Sequence, residues 1–281
     1  MSSCWLRCAW PLFQTVLKTL ADGRRLARGG LALGVLWQLA ACSTPGQFPA
    51  APVNPSGAAG LGATPWSLAS SVSGDTLAWH HYKLPGKQAS QFSYVRKDGR
   101  DAMAVSSRSS ASMVRQVVRV EPDQLAGLSF SWKVSDLMAQ ADMALRDTDD
   151  SPVRIVLAFE GDRSKFSSKN ALLSELSRTL TGEEMPYATL MYVWCNTRQP
   201  GTVIGNPRTD RIRKLVVESG TGNLRQWVDY ERNVREDYEK AFGEAPGALV
   251  GIGIMTDSDN TRSSALAWYG PLRLGPTPLV H

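Results

Sequence analysis

Leu128-Ser-Phe-Ser-Trp-Lys-Val134 decides the fold. Apolar and polar residues alternate there with period two, the pattern of a strand with one face in a core. Residues 153–159 form a nearly continuous apolar run broken only by Arg154, as expected of a strand covered on both faces. Residues 190–194, 214–218, 248–255 and 267–274 are similar short runs, and 103–106 and 112–120 add two more. Turn formers bound them: Asp98-Gly99, Gly201, Asn206-Pro207, residues 220–223 and Gly270-Pro271. Two helical patterns interrupt the series. Residues 170–180 set Leu172, Leu173, Leu176 and Leu180 on one face, and residues 230–242 space Val234, Tyr238 and Phe242 one turn apart before the capping Gly243. The pattern predicts a mainly β chain: a two-sheet antiparallel β-sandwich of jelly-roll type with two short helices in long connections. An α/β sheet would require a helix after nearly every strand. Most of Trp79, Trp132, Trp194, Trp227 and Trp268 are expected to fill the core.

The N-terminal part has another character. The apolar run from Leu31 ends on Leu39-Ala-Ala-Cys42, with Arg24, Arg25 and Arg28 upstream. That is the layout of a secretory signal with a small-residue cleavage site, and a cysteine directly after it resembles the lipobox of bacterial lipoproteins. The resemblance implies that residues 1–41 are removed and that Cys42 is acylated, a multi-chain anchor that holds stably to a membrane. The apolar stretch from Gly29 to Ala41 is too short to span a bilayer, which takes about 20 residues. Residues 42–65 follow with five prolines, four glycines and no charged side chain, and read as a tether roughly 25–30 Å in mean reach. Residues 66–281 read as one domain. The lack of acidic residues beside Cys42 resembles lipoproteins passed on to the outer membrane, facing the periplasm.

Removing the leader changes the charge argument. The chain has 31 Lys+Arg and 26 Asp+Glu; Arg7, Lys18, Arg24, Arg25, Arg28 and Asp22 leave with residues 1–41, so 26 and 25 remain, a net of +1. No basic stripe remains to argue for nucleic acid. Cys4 and Cys8 leave too, Cys42 is the lipid site, and Cys195 is alone, so the mature chain has no intramolecular disulfide.

The order of residues is similar to a bacterial family catalogued as domain of unknown function 3047. The resemblance runs over about residues 66–275, through the 128–134 strand, Arg154-Ile-Val-Leu-Ala-Phe-Glu-Gly161, Tyr192-Val-Trp194, Arg232-Asn-Val234, Asp237-Tyr238 and Asp257-Ser-Asp-Asn-Thr261. It implies an envelope-targeted β-rich domain and supplies no activity.

Chemistry must then come from the residues. Asp257, Asp259, Asn260 and Thr261 follow a strand in a turn-rich loop, and oxygen side chains at alternate positions suit calcium. The same residues also suit a turn in which Asp and Asn bond their own backbone. Asp147, Asp149 and Asp150 make a second acidic loop. His80-His81 point to opposite strand faces and would not share a metal. Gly-x-Ser-x-Gly is absent, and Cys195 reads as a buried thiol.

The leading expectation is a lipid-anchored envelope protein whose sandwich binds a saccharide without catalysis or cofactor, through Trp194, Arg208, Asp257, Asp259 and Asn260. Asp257 and Asp259 are the candidate metal ligands. One alternative is a glycoside hydrolase or lyase using two of Glu160, Asp162, Asp257 and Asp259. The other is a structural lipoprotein that binds an envelope protein, marked by an exposed apolar patch.

Overall fold

A computed structural model of the chain describes residues 64–70, 78–125 and 127–275. The leader, Cys42 and residues 43–63 of the tether lie outside them. Every described element belongs to one unit, residues 58–281, which has its own hydrophobic core.

Helix α1 (Pro65–Ala69) opens the described part, with Pro65 in its first turn and Thr64 Oγ1 accepting the Ser67 N–H at 3.1 Å. The strands are β1 (His80–Lys83), β2 (Gln91–Lys97), β3 (Arg100–Arg108), β4 (Ala111–Val120), β5 (Gly127–Val134), β6 (Ser151–Phe159), β7 (Ala188–Cys195), β8 (Val203–Gly205), β9 (Ile212–Ser219), β10 (Val228–Asn233), β11 (Leu249–Asp257), β12 (Ser264–Tyr269) and β13 (Arg273–Gly275). Helix α2 (Ser168–Thr181) lies between β6 and β7, and α3 (Val234–Phe242) between β10 and β11. One sheet has seven strands in the order β1-β4-β11-β6-β7-β9-β8, and the other runs β10-β5-β12-β3-β2 with β13 beside β5. This is the two-sheet, jelly-roll-type sandwich that the sequence predicts. One pair departs from the antiparallel pattern: β7 and β9 are parallel, because the chain runs from β7 out to β8 at the sheet edge and returns as β9 between them.

Alternation explains the core. In β6, Val153, Ile155, Leu157 and Phe159 are fully buried against the second sheet. Phe130, Trp132 and Val134 of β5 meet them from the other side, with Trp132 and Trp194 ring centroids 6.4 Å apart. Trp66 and Trp79 close one end, 4.9 Å apart.

Three expectations change. The second helix starts at Val234 because residues 228–233 pair with β5, setting Tyr230 opposite Phe130; Asn233 then caps the helix by accepting the Glu236 N–H. The run 267–274 is two strands, β12 and β13, interrupted at Gly270-Pro271. Trp227 and Trp268 are half-buried outside the core cluster, each under a cation: Arg100 lies 5.3 Å from Trp227 and Lys97 lies 5.0 Å from Trp268.

Candidate functional site

Residues of β4, β11, β6 and β7 that alternate away from the core form the floor of an open groove of about 1100 Å³. The floor is apolar: Met113 and Val117 from β4, Met255 from β11, Val156 from β6 and Met191 from β7, with Gly251 and Gly253 of β11 between them. Methionines give such a surface adaptable packing. The rim is charged and mixed in sign, so the groove has no strong field of either sign. Tyr82 of β1 stands at the rim, with the Arg115 guanidinium 4.0 Å from its ring centroid. Arg115 rises from the floor to Glu183 in the connection after α2, 2.5 Å away. Arg119 bridges Glu121 at 2.7 Å and Glu160 at 3.1 Å. Tyr187 also borders the groove but is buried, stacked on Phe166 and hydrogen-bonded to Glu244.

A buried ionic network closes one end. Arg154, on the groove side of β6, forks onto Asp257 with Nε and Nη2 each 3.1 Å from a carboxylate oxygen. Its Nη2 also reaches Asp149 at 3.0 Å. Lys214 of β9, fully buried, donates to Asp149 at 2.6 Å and to the Met143 carbonyl at 2.7 Å. Two carboxylates thus face two cations, the condition under which such groups tolerate burial. Burial pushes the Asp257 carboxyl up to about 6, against the attraction of Arg154. Burial and the charge of Arg154 push the Lys214 ammonium down to about 8. Burial works the other way on Asp149, but Arg154 and Lys214 outweigh it and hold its carboxyl low.

The two acidic loops of the sequence meet here. Asp150, buried, accepts from the Asn260 N–H at 3.2 Å and from the Thr261 N–H and hydroxyl at 2.7 and 2.6 Å. Asp259 is ion-paired to Lys87. The carboxylates are therefore met by cationic side chains and N–H donors. Among the described residues no group of three or more His, Cys, Asp or Glu side chains is placed to hold a metal ion.

Of the residues expected to bind a ligand, Arg208, Asp257, Asp259 and Asn260 border the groove. Trp194 does not. It is fully buried, packs on Trp132 and donates its indole N–H to the Gly220 carbonyl at 2.9 Å, so neither ring face is open to a ligand. Asp257 borders the groove yet is 6% exposed and committed to Arg154 and the Ser151 N–H. Of the carboxylates proposed for hydrolysis, Asp257 and Asp259 are each paired to a cation, Arg154 and Lys87, and Glu160 lies far from Asp257. Asp162 caps a turn by accepting from Ser164. The Glu160 N–H donates to the Ala248 carbonyl, just before β11, while Asp257 ends β11, about 30 Å farther along at the rise of a strand. Glycosidase carboxyls stand about 5–9.5 Å apart. His81 Nε2 lies 2.9 Å from Ser112 Oγ, and Cys195 is a buried free thiol.

Sequence reasoning missed Lys214 and the rim residues Arg115, Arg119 and Glu183. The interruption of β6 by Arg154 was a visible signal of a buried charge; its partners were not visible.

The chain belongs to the family described as protein of unknown function (DUF3047), whose model matches residues 77–273. Residues that carry the family likeness hold the fold together: Asn233 caps α3, Arg232 clasps Asp237 at 2.5 Å, Tyr238 is in the core and Asp257 seats Arg154. No curated protein matches the chain. Among solved structures it is similar to the family 11 carbohydrate-binding module of the cellulosomal cellulase Lic26A-Cel5E of Clostridium thermocellum (10% identity, 70% of this chain and 86% of that one, TM-score 0.34). It is also similar to the xyloglucanase domain of NopAA, a type three effector from Sinorhizobium fredii, in complex with cellobiose (11% identity, 71% and 93%, TM-score 0.35). A thermostable cellulase derived from Cel12A of Rhodothermus marinus is a third (8% identity, 70% and 95%, TM-score 0.38).

Proposed function

We propose that this chain is a lipid-anchored protein of the bacterial envelope, in the outer membrane facing the periplasm, whose sandwich binds an extended saccharide without catalysis. The observation that carries the reading is the open groove with an apolar floor and a rim of hydrogen-bonding side chains. A sugar ring offers apolar C–H faces and hydroxyl edges, and the floor around Met113, Val156 and Met255 meets the first as Arg115, Arg119 and Arg208 meet the second. Tyr82 is the aromatic platform at the rim. The even balance of rim charge favours a neutral saccharide over a polyanion. The dispersal of Glu160 and Asp257 supports binding over hydrolysis. Cys42 supplies the anchor.

Affinity electrophoresis and glycan arrays with the 58–281 unit test the groove. Binding to an envelope or polymeric saccharide, lost in Tyr82→Ala and Arg115→Ala and kept in Trp268→Ala on the other sheet, is the expected pattern. Absence of any saccharide binding overturns it. Fractionation of Cys42→Ser tests the anchor: the substituted protein should leave the outer membrane, and its retention there would refute acylation.

A further inference from the structure

Helix α2 is turned inside out. Its buried residues are the polar Asn170 and Ser174, while Leu172, Leu176 and Leu180 are 71%, 40% and 53% exposed. The inward side is held by hydrogen bonds instead of apolar packing. Asn170 donates to Asp210 at 2.6 Å and accepts from Thr209 at 2.7 Å, and Ser174 accepts from Arg163 at 3.0 Å. The amphipathic period is the one read from the sequence, but of its four leucines only Leu173 is half-buried and the other three face out. The three leucines stand at i, i+4 and i+8, so they form one row along a helix of 14 residues, about 21 Å long.

We infer that this stripe is a membrane contact: α2 lies in the interface of a phospholipid bilayer with its leucines among the acyl chains. The inference rests on the proposed lipid anchor for its occupant. Once Cys42 is acylated as proposed, a tether of 21 residues between it and Thr64 has a mean reach of roughly 25 Å and keeps the domain beside the bilayer that carries the acyl chains. At that distance insertion is an intramolecular step, and a contact too weak to recruit a free protein becomes occupied. Lys165 and Lys169 lie at the N-terminal end of the stripe, where they meet anionic headgroups as interfacial helices do. A second copy of the chain fits less well. Three leucines cover a few hundred Å², and a stable interface takes about 800 Å² per partner. Ser177 and the connection after α2 border the groove, so this docking places the groove beside the headgroups and selects a ligand at the membrane surface.

The test uses the 58–281 unit with an N-terminal histidine tag on phosphatidylcholine–phosphatidylglycerol vesicles that contain a nickel-chelating lipid. The chelate replaces the acylated cysteine, so the outcome is independent of whether Cys42 is lipidated in cells. Cys195 is buried, which lets Leu176→Cys be labelled selectively with an environment-sensitive fluorophore. The expected result is a blue shift and quenching by spin-labelled acyl chains at position 176. Neither change should appear at Thr221→Cys, and both should be lost when Leu172→Gln and Leu180→Gln are added. No shift at 176 in the vesicle-bound protein overturns the inference, as does an equal shift at 221. A shift that appears on concentrating the protein without vesicles assigns the stripe to a second copy and also overturns it.

Discussion

Arg115 and Glu183 join the floor of the groove to its wall: the guanidinium of a β4 residue meets, at 2.5 Å, a carboxylate in the connection that follows α2. The two side chains are 30% and 52% exposed, so water screens the pair and its loss costs no more than about 1 kcal/mol of stability. Its effect is on the connection. In Glu183→Gln, amide exchange across residues 182–187 should speed up while the melting temperature stays nearly fixed. Unchanged exchange there would mean that Arg163, bound to Glu184 and the Met185 carbonyl, holds the connection without it.

Burial of Asp257, which outweighs its pairing with Arg154, makes stability depend on pH in an unusual direction. The folded carboxyl titrates at about 6, above its ordinary 3.8. Between those values the folded state binds more protons than the unfolded one, so stability present at low pH falls as pH rises from about 4 to about 6. The loss is at most about 3 kcal/mol from this group. Lys214 acts at the other end. Its folded value of about 8 lies below its ordinary 10.5, so stability is regained as pH rises between them. Urea midpoints followed from pH 4 to pH 10 should trace a trough. Asp257→Asn should flatten its acid side alone, and an unaltered acid slope in that variant would assign the titration elsewhere.

The loops around Asp150 and Asp259 should respond unequally to substitution. Asp150→Ala strands the Asn260 and Thr261 N–H groups and should cost about 2–4 kcal/mol. Asp259→Ala removes a partly exposed pair with Lys87 and should cost less than about 1 kcal/mol. Melting curves should be the same with calcium and with chelator. A calcium-dependent rise that vanishes in Asp259→Ala would restore the cation site.

Trp194 separates core from site. Trp194→Ala should cost about 3–5 kcal/mol by cavity formation. Trp194→Phe should lower the urea midpoint and leave saccharide affinity unchanged, because the ring faces Trp132 across the core. A loss of affinity in the phenylalanine variant without loss of stability would place the ligand elsewhere.

The strands legible in the sequence were those with a clear period, such as β5, or an apolar run. β6, β7 and β11 lie inside the seven-stranded sheet, where core and groove floor are both apolar, and each reads as a run broken by few polar residues, Arg154 among them. β1, β8 and β10 lie at sheet edges and are short or polar, as edges commonly are, and they leave no period to detect. The leucine pattern of α2 was plain, but a period says which residues share a face and not which way it points. The groove was invisible because its floor draws one or two residues from each of four strands far apart in the chain. The aspartates of the acidic loops were visible; that they meet through Arg154 and Asp150 depends on the pairing of β6 with β11, about 100 residues apart.

β11 sits between β4 and β6, and β12 sits between β5 and β3, so residues 249–269 complete the interior of both sheets. Both strands come after β3, β4, β5 and β6 in the chain, and each docks between two strands that precede it. Until then β4, β5 and β6 present open edges, and Arg154 is held without Asp257. A chain truncated near residue 248 is therefore a pair of unfinished sheets, the state in which edge strands pair with other chains. Cooperative closure waits for β11 and β12, and a truncation that removes them yields an aggregating chain rather than a smaller domain.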